Sequence, residues 1–355
     1  MYKKIIRPIF FLFSPESIHH FTVFGIKALR YIPFGTTLLR KLCVVNHPLL
    51  EREVFGMKFS NPVGLAAGFD KNCEIYKEME AFGFGFIEVG TITPKAQLGN
   101  PSPRLFRLPK DSAIINRMGF NNDGVSNAVN NLRKRPYTSH QSCVVGGNLG
   151  KNTLTPNENA KDDYLNLFRR LYDYVDYFVI NISCPNVNNM RKLQNAEALG
   201  DILEGIMEFR RGQGLYRPVL MKISPDLTFE QIDELIEEMK KWNLDGIVAT
   251  NTTTSRDGLL SDSQVVENIG NGGLSGAPLT KRSLEVVRYI SSKCEGNYPI
   301  IGVGGIMTPD DAVAMLDAGA SLIQLYSGFI YNGPFFVKEV CNRIIEREIQ
   351  KKDSK

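Results

Sequence analysis

From residue 54 onward the chain alternates short apolar runs with longer stretches in which apolar positions recur every three or four residues. The runs are Val63–Ala67, Gly85–Thr91, Val144–Leu149, Tyr177–Ile182, Val219–Ser224, Gly246–Asn251, Pro299–Gly305 and Ser321–Ser327. Most are continuous rather than alternating, as parallel strands covered on the outside should be. Helical periodicity is clearest in Thr228–Trp242, Thr280–Lys293 and Pro309–Ala318, and Thr228 with Gln231 reads as a capping box. Eight β/α units over about 270 residues predict a (β/α)8 TIM barrel, an α/β fold, with a doubly wound sheet as the alternative.

Two connections, Thr93–Ser142 and Thr252–Pro278, are long for such a fold. Connections of this length without periodicity are lids or disordered segments, and both leave strand carboxyl ends, which favours lids. Before the barrel, Ser14-Pro15-Glu16 reads as an N-cap with proline at the first helical position. On the helix that follows, Ile18, Phe21, Gly25 and Leu29 fall on one face, opposite His20, Lys27 and Arg30; Thr36–Val45 forms a second short helix. Residues 1–50 are thus an amphipathic helical hairpin ahead of a catalytic domain, residues 51–355. The hairpin is either a helix pair packed on the barrel or an interfacial membrane anchor.

Charge sharpens the second reading. The chain carries +4 overall, but residues 1–50 hold seven lysines and arginines against one acid, Glu16, and the remainder is slightly acidic. The basicity belongs to the hairpin, which argues against nucleic acid as a partner of the body. The opening apolar run is far shorter than the roughly 20 residues needed to span a bilayer and is broken by Arg7 and Pro8, and no signal-peptide cleavage site follows it. Six scattered cysteines with no C-x-x-C spacing fit a reduced intracellular protein and no zinc or iron–sulfur site. The four histidines follow no strand, so acid–base chemistry falls to Cys, Lys, Asp, Glu or Tyr.

The stretch Val179–Asn186, VINISCPN, concentrates that chemistry. An apolar strand ends there in Asn181, Ser183, Cys184 and Asn186, with Pro185 unable to continue a ladder. Cys184 is a candidate base or nucleophile, against the alternative of an inert core thiol. Gly302–Gly305, Gly276 and Tyr326-Ser327-Gly328 follow the last runs, where barrels bind phosphate; tight turns are the competing explanation for the glycines. Lys222, inside the buried run VLMKIS, requires a partner or an anionic ligand such as a reduced isoalloxazine, unless it snorkels at the strand end. Asn148, Asn181 and Thr250 end three other runs and have hydrogen bonds to offer. Ala66-Ala67-Gly68 leaves room for a flat ring.

NPVGLAAGFDKN, IEVGTITPKAQLGNPSPRLFRLP, INRMGFNN, GKN, INISCPN, MKISPDL, IVATNTT, GGLSGAPL, IIGVGGI and ASLIQLYSGFI lie in this order over residues 61–330. Together they resemble the dihydroorotate dehydrogenase family, and the hairpin with SPESIHH resembles its membrane-associated, quinone-dependent class. The resemblance implies oxidation of (S)-dihydroorotate to orotate in pyrimidine synthesis. The enzyme would use FMN and a quinone acceptor, as a peripheral protein on the cytoplasmic side of the inner (cell) membrane. It implies FMN contacts at Ala67, Gly68, Phe69, Asp70, Lys71, Thr91, Asn148, Asn181, Lys222 and Thr250, with the phosphate on Gly276, Gly305, Tyr326 and Ser327. The substrate falls to Lys71, the run Asn116, Arg117, Met118, Gly119 and Phe120, then Asn181, Asn186, Asn251 and Thr252. His19, Arg107 and Tyr326 match the quinone end, and Cys184 the base. The quinone-dependent class usually has serine at that position; cysteine resembles the soluble class, whose acceptors are fumarate or, through an iron–sulfur partner subunit, NAD. A non-redox, phosphate-binding barrel is the remaining alternative.

Overall fold

In the computed structural model, which describes residues 1–133, 143–183 and 196–353, all eight apolar runs form strands. They are β1 (Val63–Leu65), β2 (Phe86–Ile92), β3 (Val144–Leu149), β4 (Tyr177–Asn181), β5 (Val219–Ile223), β6 (Gly246–Ala249), β7 (Ile300–Val303) and β8 (Leu322–Leu325). Every neighbouring pair is parallel, and β8 pairs with β1 to close the barrel. The doubly wound alternative is thereby excluded. Helices cover the outside; Phe229–Lys241 begins with both hydrogen bonds of the Thr228–Gln231 capping box.

Inward positions follow the two-residue period of a strand. Low in the barrel they are apolar: Phe86, Val144, Tyr177, Val179, Leu220, Val248, Ile301 and Leu322 form one buried cluster. A Cβ on Gly64 would lie 2.3 Å from the Phe86 ring, so glycine there is what lets the ring fill the floor. A hairpin, Arg52–Val54 with Met57–Phe59, plugs the amino end and adds Val54 and Phe59 to that cluster. Two residues further along the strands, or four in the case of Asn148, the same parity brings in Glu88, Asn148, Asn181, Lys222, Thr250 and Gln324. The interior therefore turns from apolar to polar toward the carboxyl end.

The two long connections are not free lids. Leu105–Leu108, Ala113–Asn116 and Gly273–Gly276 form a three-stranded antiparallel sheet that joins one insertion to the other, and Gly124–Leu132 and Ser263–Ile269 are helical. The pairing of Ala113–Asn116 with Gly273–Gly276 is nonlocal, so no local period announced it.

The N-terminal region contains α1 (Arg7–Phe11), α2 (Pro15–Ala28) and α3 (Gly35–Cys43). Ser14 caps α2, accepting from the Ser17 amide at 3.2 Å. The face read from the sequence needs correcting. Ile18 and Leu29 turn inward with Ile26, whereas Phe21 and Gly25 are exposed together with Phe24. The helix is apolar on two sides, and only one is covered. The basic residues are also partly committed to the barrel: Lys27 to Glu74, Arg30 to Glu78 and Arg40 to Glu80. Ile5, Ile9, Leu12, Phe13, Tyr31, Ile32, Phe34, Leu38 and Leu42 remain exposed. Among the described residues no helix is long and apolar enough to cross a membrane.

Candidate active site

A cleft open to solvent lies at the carboxyl ends of the strands. Strand ends supply its floor, because that is where inward positions become polar. Lys222 on β5 contributes an ammonium, Asn181 on β4 an amide, and Thr91 and Thr250 hydroxyls. Ala66, Ala67 and Gly68 contribute backbone and little else, which leaves space for a planar group. Gly68 has φ +99°, and a Cβ there would point into that space, with only the Tyr326 ring within 4 Å.

The polar floor is one hydrogen-bonded network. Asn148 Oδ1 accepts from Thr91 Oγ1 at 2.6 Å and from Asn181 Nδ2 at 3.1 Å. Asn251 donates to Asn181 Oδ1 at 3.3 Å and to Ser183 Oγ at 3.1 Å. Ser183, fully buried, donates in turn to the Lys222 carbonyl at 2.8 Å, which anchors the chain immediately before residue 184. Beneath this layer Glu88 receives Asn148, Gln324 and Lys222. The sequence reading named neither Glu88 nor Gln324. Each is a polar residue at an inward position of an apolar strand, and that parity was the available signal.

One end of the cleft is a glycine cradle. Gly276 and Gly305 both have positive φ, and a Cβ on Gly305 would sit 2.3 Å from the Thr280 backbone. The Ser275 and Ser327 hydroxyls meet beside them at 2.9 Å. Backbone amides and hydroxyls at the mouth of β7 and β8 are the donor set a phosphate requires.

At the other end lie Lys71, Asn116, Met118, Gly119, Phe120, Asn251 and Thr252. Lys71 Nζ donates to Asn121 Oδ1 at 3.0 Å. Burial pulls its pKa down to about 8, with the Arg104 guanidinium adding repulsion and Glu16 opposing it. This is the composition for a small anionic ring: one cation for a carboxylate and amides for polar edges.

Not every expected contact reaches the cleft. Phe69 does not line it; its ring packs edge-on against His19, Tyr326 and Phe329. Asp70 is turned inward to accept the amides of Glu74 and Ile75, and burial raises its carboxyl to about 6. Asn148 acts from behind, through Thr91 and Asn181. Arg117 points away, donating to the Ile269 and Pro103 carbonyls and stacking on Phe106, and so ties the two insertions together. Cys184 and Asn186 lie outside the described residues.

A second, apolar chamber lies between the N-terminal helices and the barrel. Phe10, Phe11, Ile18, Ile26, Phe82 and Phe329 line it, with His19, Arg107 and Thr22 among its polar members. Burial lowers the His19 pKa to about 3, reinforced by Lys71 and His20, so the imidazole is neutral. Arg107 donates to the Phe13 carbonyl at 2.9 Å and packs on Phe11. Tyr326, Leu105 and Ile114 border both cavities. The Tyr326 phenol is pushed up to about 12 by burial and stays protonated.

The family described as dihydroorotate dehydrogenase matches residues 49–347. A dihydroorotate dehydrogenase (quinone) of Christiangramia forsetii is 52% identical, over 98% of this chain and 99% of that protein. The proteins of the same description from Trichormus variabilis and Proteus mirabilis are 44% and 43% identical, over 98% and 97% of this chain and 94% and 100% of their own lengths. The crystal structure of the Eimeria tenella dihydroorotate dehydrogenase with ferulenol superposes with a TM-score of 0.86 at 36% identity, covering 95% of this chain and 92% of that one.

Proposed function

The chain belongs to the dihydroorotate dehydrogenase family, alongside relatives of the quinone class, and we propose that it oxidises (S)-dihydroorotate to orotate with FMN in the cleft and a quinone as acceptor. The reading rests most on one observation: a polar, glycine-cradled cleft and an apolar chamber share the wall formed by Tyr326, Leu105 and Ile114. The donor set fits FMN, with small residues for the ring, Lys222 for negative charge on it, and amides and hydroxyls at Gly276, Gly305 and Ser327 for the phosphate. When bound, FMN supplies a centre that accepts a hydride and later gives up two electrons.

The residues of this chain divide the remaining work. Lys71 binds the substrate carboxylate, and Asn116, Asn181, Asn186, Asn251 and Thr252 hold its polar edges. Cys184 takes the proton from C5 as hydride leaves C6. A thiol with an ordinary pKa near 8.5 requires only modest tuning for that role. His19, neutral, and Arg107 contact the quinone head. The exposed apolar side chains of the N-terminal helices support peripheral attachment to the cytoplasmic side of the inner membrane, where quinone is dissolved.

The test is anaerobic titration of the purified protein with dihydroorotate, followed by reoxidation with quinone, fumarate or NAD. The flavin bands should bleach with dihydroorotate and return fastest with quinone. Folded protein that takes up no FMN refutes the flavin reading, and faster reoxidation by fumarate or NAD refutes the acceptor.

A further inference from the structure

Glu88 has no place in the chemistry above, yet it is an acid buried inside the barrel with partners on three other strands. Its side chain is fully buried on β2, and a carboxylate removed from water is costly unless charge and donors compensate it. Three other strands provide them. Asn148 Nδ2 of β3 lies 2.7 Å from Oε1, Gln324 Nε2 of β8 lies 2.6 Å from Oε2, and Lys222 Nζ of β5 lies 3.5 Å from Oε1. Lys222 and Gln324 line the cleft, while Asn148 continues to Thr91 and Asn181, which line it too. One carboxylate thus fixes from behind most of the polar groups on the floor. Two of its partners are neutral amides, which an uncharged acceptor would satisfy. The lysine is the partner that calls for a full negative charge.

We propose that Glu88 is a positioning residue for Lys222, aiming its ammonium and offsetting its charge, so that the bound cofactor faces an ion pair rather than a lone cation. The inference rests on the flavin reading of the cleft. A lone cation beside the ring favours reduction to the anionic form more strongly than a paired one does. Glu88→Gln should therefore raise the potential of bound FMN, shifting the reduced-to-oxidised ratio at least tenfold, about 30 mV for a two-electron couple. In a Lys222→Gln background the same substitution should tighten FMN binding, because Lys222→Gln alone strands a buried carboxylate.

The experiment compares the parent, Glu88→Gln, Lys222→Gln and the double variant at one pH and ionic strength. Potentials are read by dye equilibration and FMN affinity by fluorescence quenching. A Glu88→Gln potential equal to the parent's, or a double variant that binds FMN no tighter than Lys222→Gln, overturns the proposal. Should Glu88→Gln alone fail to fold, the affinity comparison in the Lys222→Gln background still decides. A parent protein that takes up no FMN refutes the flavin reading and this inference together. A parent that binds FMN but shows no coupling between positions 88 and 222 refutes Glu88 alone.

Discussion

Lys71 offers the sharpest dependence on pH. Its ammonium is held between Asn121 and the cleft, and burial, aided by Arg104, brings its pKa from 10.5 to about 8. That difference corresponds to roughly 3 kcal/mol against the charged form in the empty site. An anionic ligand binds the charged form, so the sign is fixed: affinity is complete below about pH 8 and is lost as pH rises through that value. The limiting slope is about tenfold per pH unit, and at about pH 9 orotate should bind about tenfold more weakly than at about pH 7. Orotate binding, followed through the flavin spectrum, isolates this effect from any titration of the base. Lys71→Arg is the control, since a guanidinium stays charged throughout and the profile should flatten even if the absolute affinity falls. An orotate affinity independent of pH up to about 9.5, or an unchanged profile in Lys71→Arg, would falsify the assignment.

The other expectations are briefer. Cys184→Ala should retain FMN while slowing its reduction by dihydroorotate about 10²- to 10⁴-fold in a single-turnover assay; reduction at the parental rate removes Cys184 as the base. Deleting residues 1–48 should spare that half-reaction and impair steady-state turnover with a hydrophobic quinone, and unimpaired turnover would sink the role given to the apolar chamber. Gly305→Ala forces a Cβ to within 2.3 Å of the Thr280 backbone at a positive φ, so FMN should be lost on gel filtration; full retention would show that the cradle tolerates a side chain. Glu16 accepts two hydrogen bonds from Arg104 and one from Ser102, and although burial opposes it these hold its pKa low. Glu16→Gln should cost about 1.5–3 kcal/mol in urea unfolding at neutral pH. Because the folded carboxyl titrates below its unfolded value, the deficit should shrink as pH falls through the acid range, and a deficit constant down to about pH 3 would contradict the pairing.

The barrel was legible because strands buried on both faces leave uninterrupted apolar runs, and all eight appear where those runs lie. The glycines after β7 and β8, Lys222 and the amides at strand ends were legible for a related reason: polar groups at the end of a buried strand have to face something. Other features depended on closure. Glu88 and Gln324 look like isolated interruptions until parity and curvature bring them to one point. Ala113–Asn116 pairs with Gly273–Gly276 from far along the chain, so neither strand carries a turn signal for the other. Asp70, inside a dense family motif, is directed to backbone amides rather than to the cleft, a choice of rotamer that no pattern in the chain encodes.

The sheet built from both insertions acts as a caliper. Asn116 sits opposite Gly273 and Ala113 opposite Gly276, so three residues of strand, about 10 Å, separate the amide proposed to meet dihydroorotate from the glycine proposed to hold the phosphate. Lengthening either strand by a single residue would slide one jaw against the other, misaligning the ring and its reductant while every side chain in the cleft kept its identity.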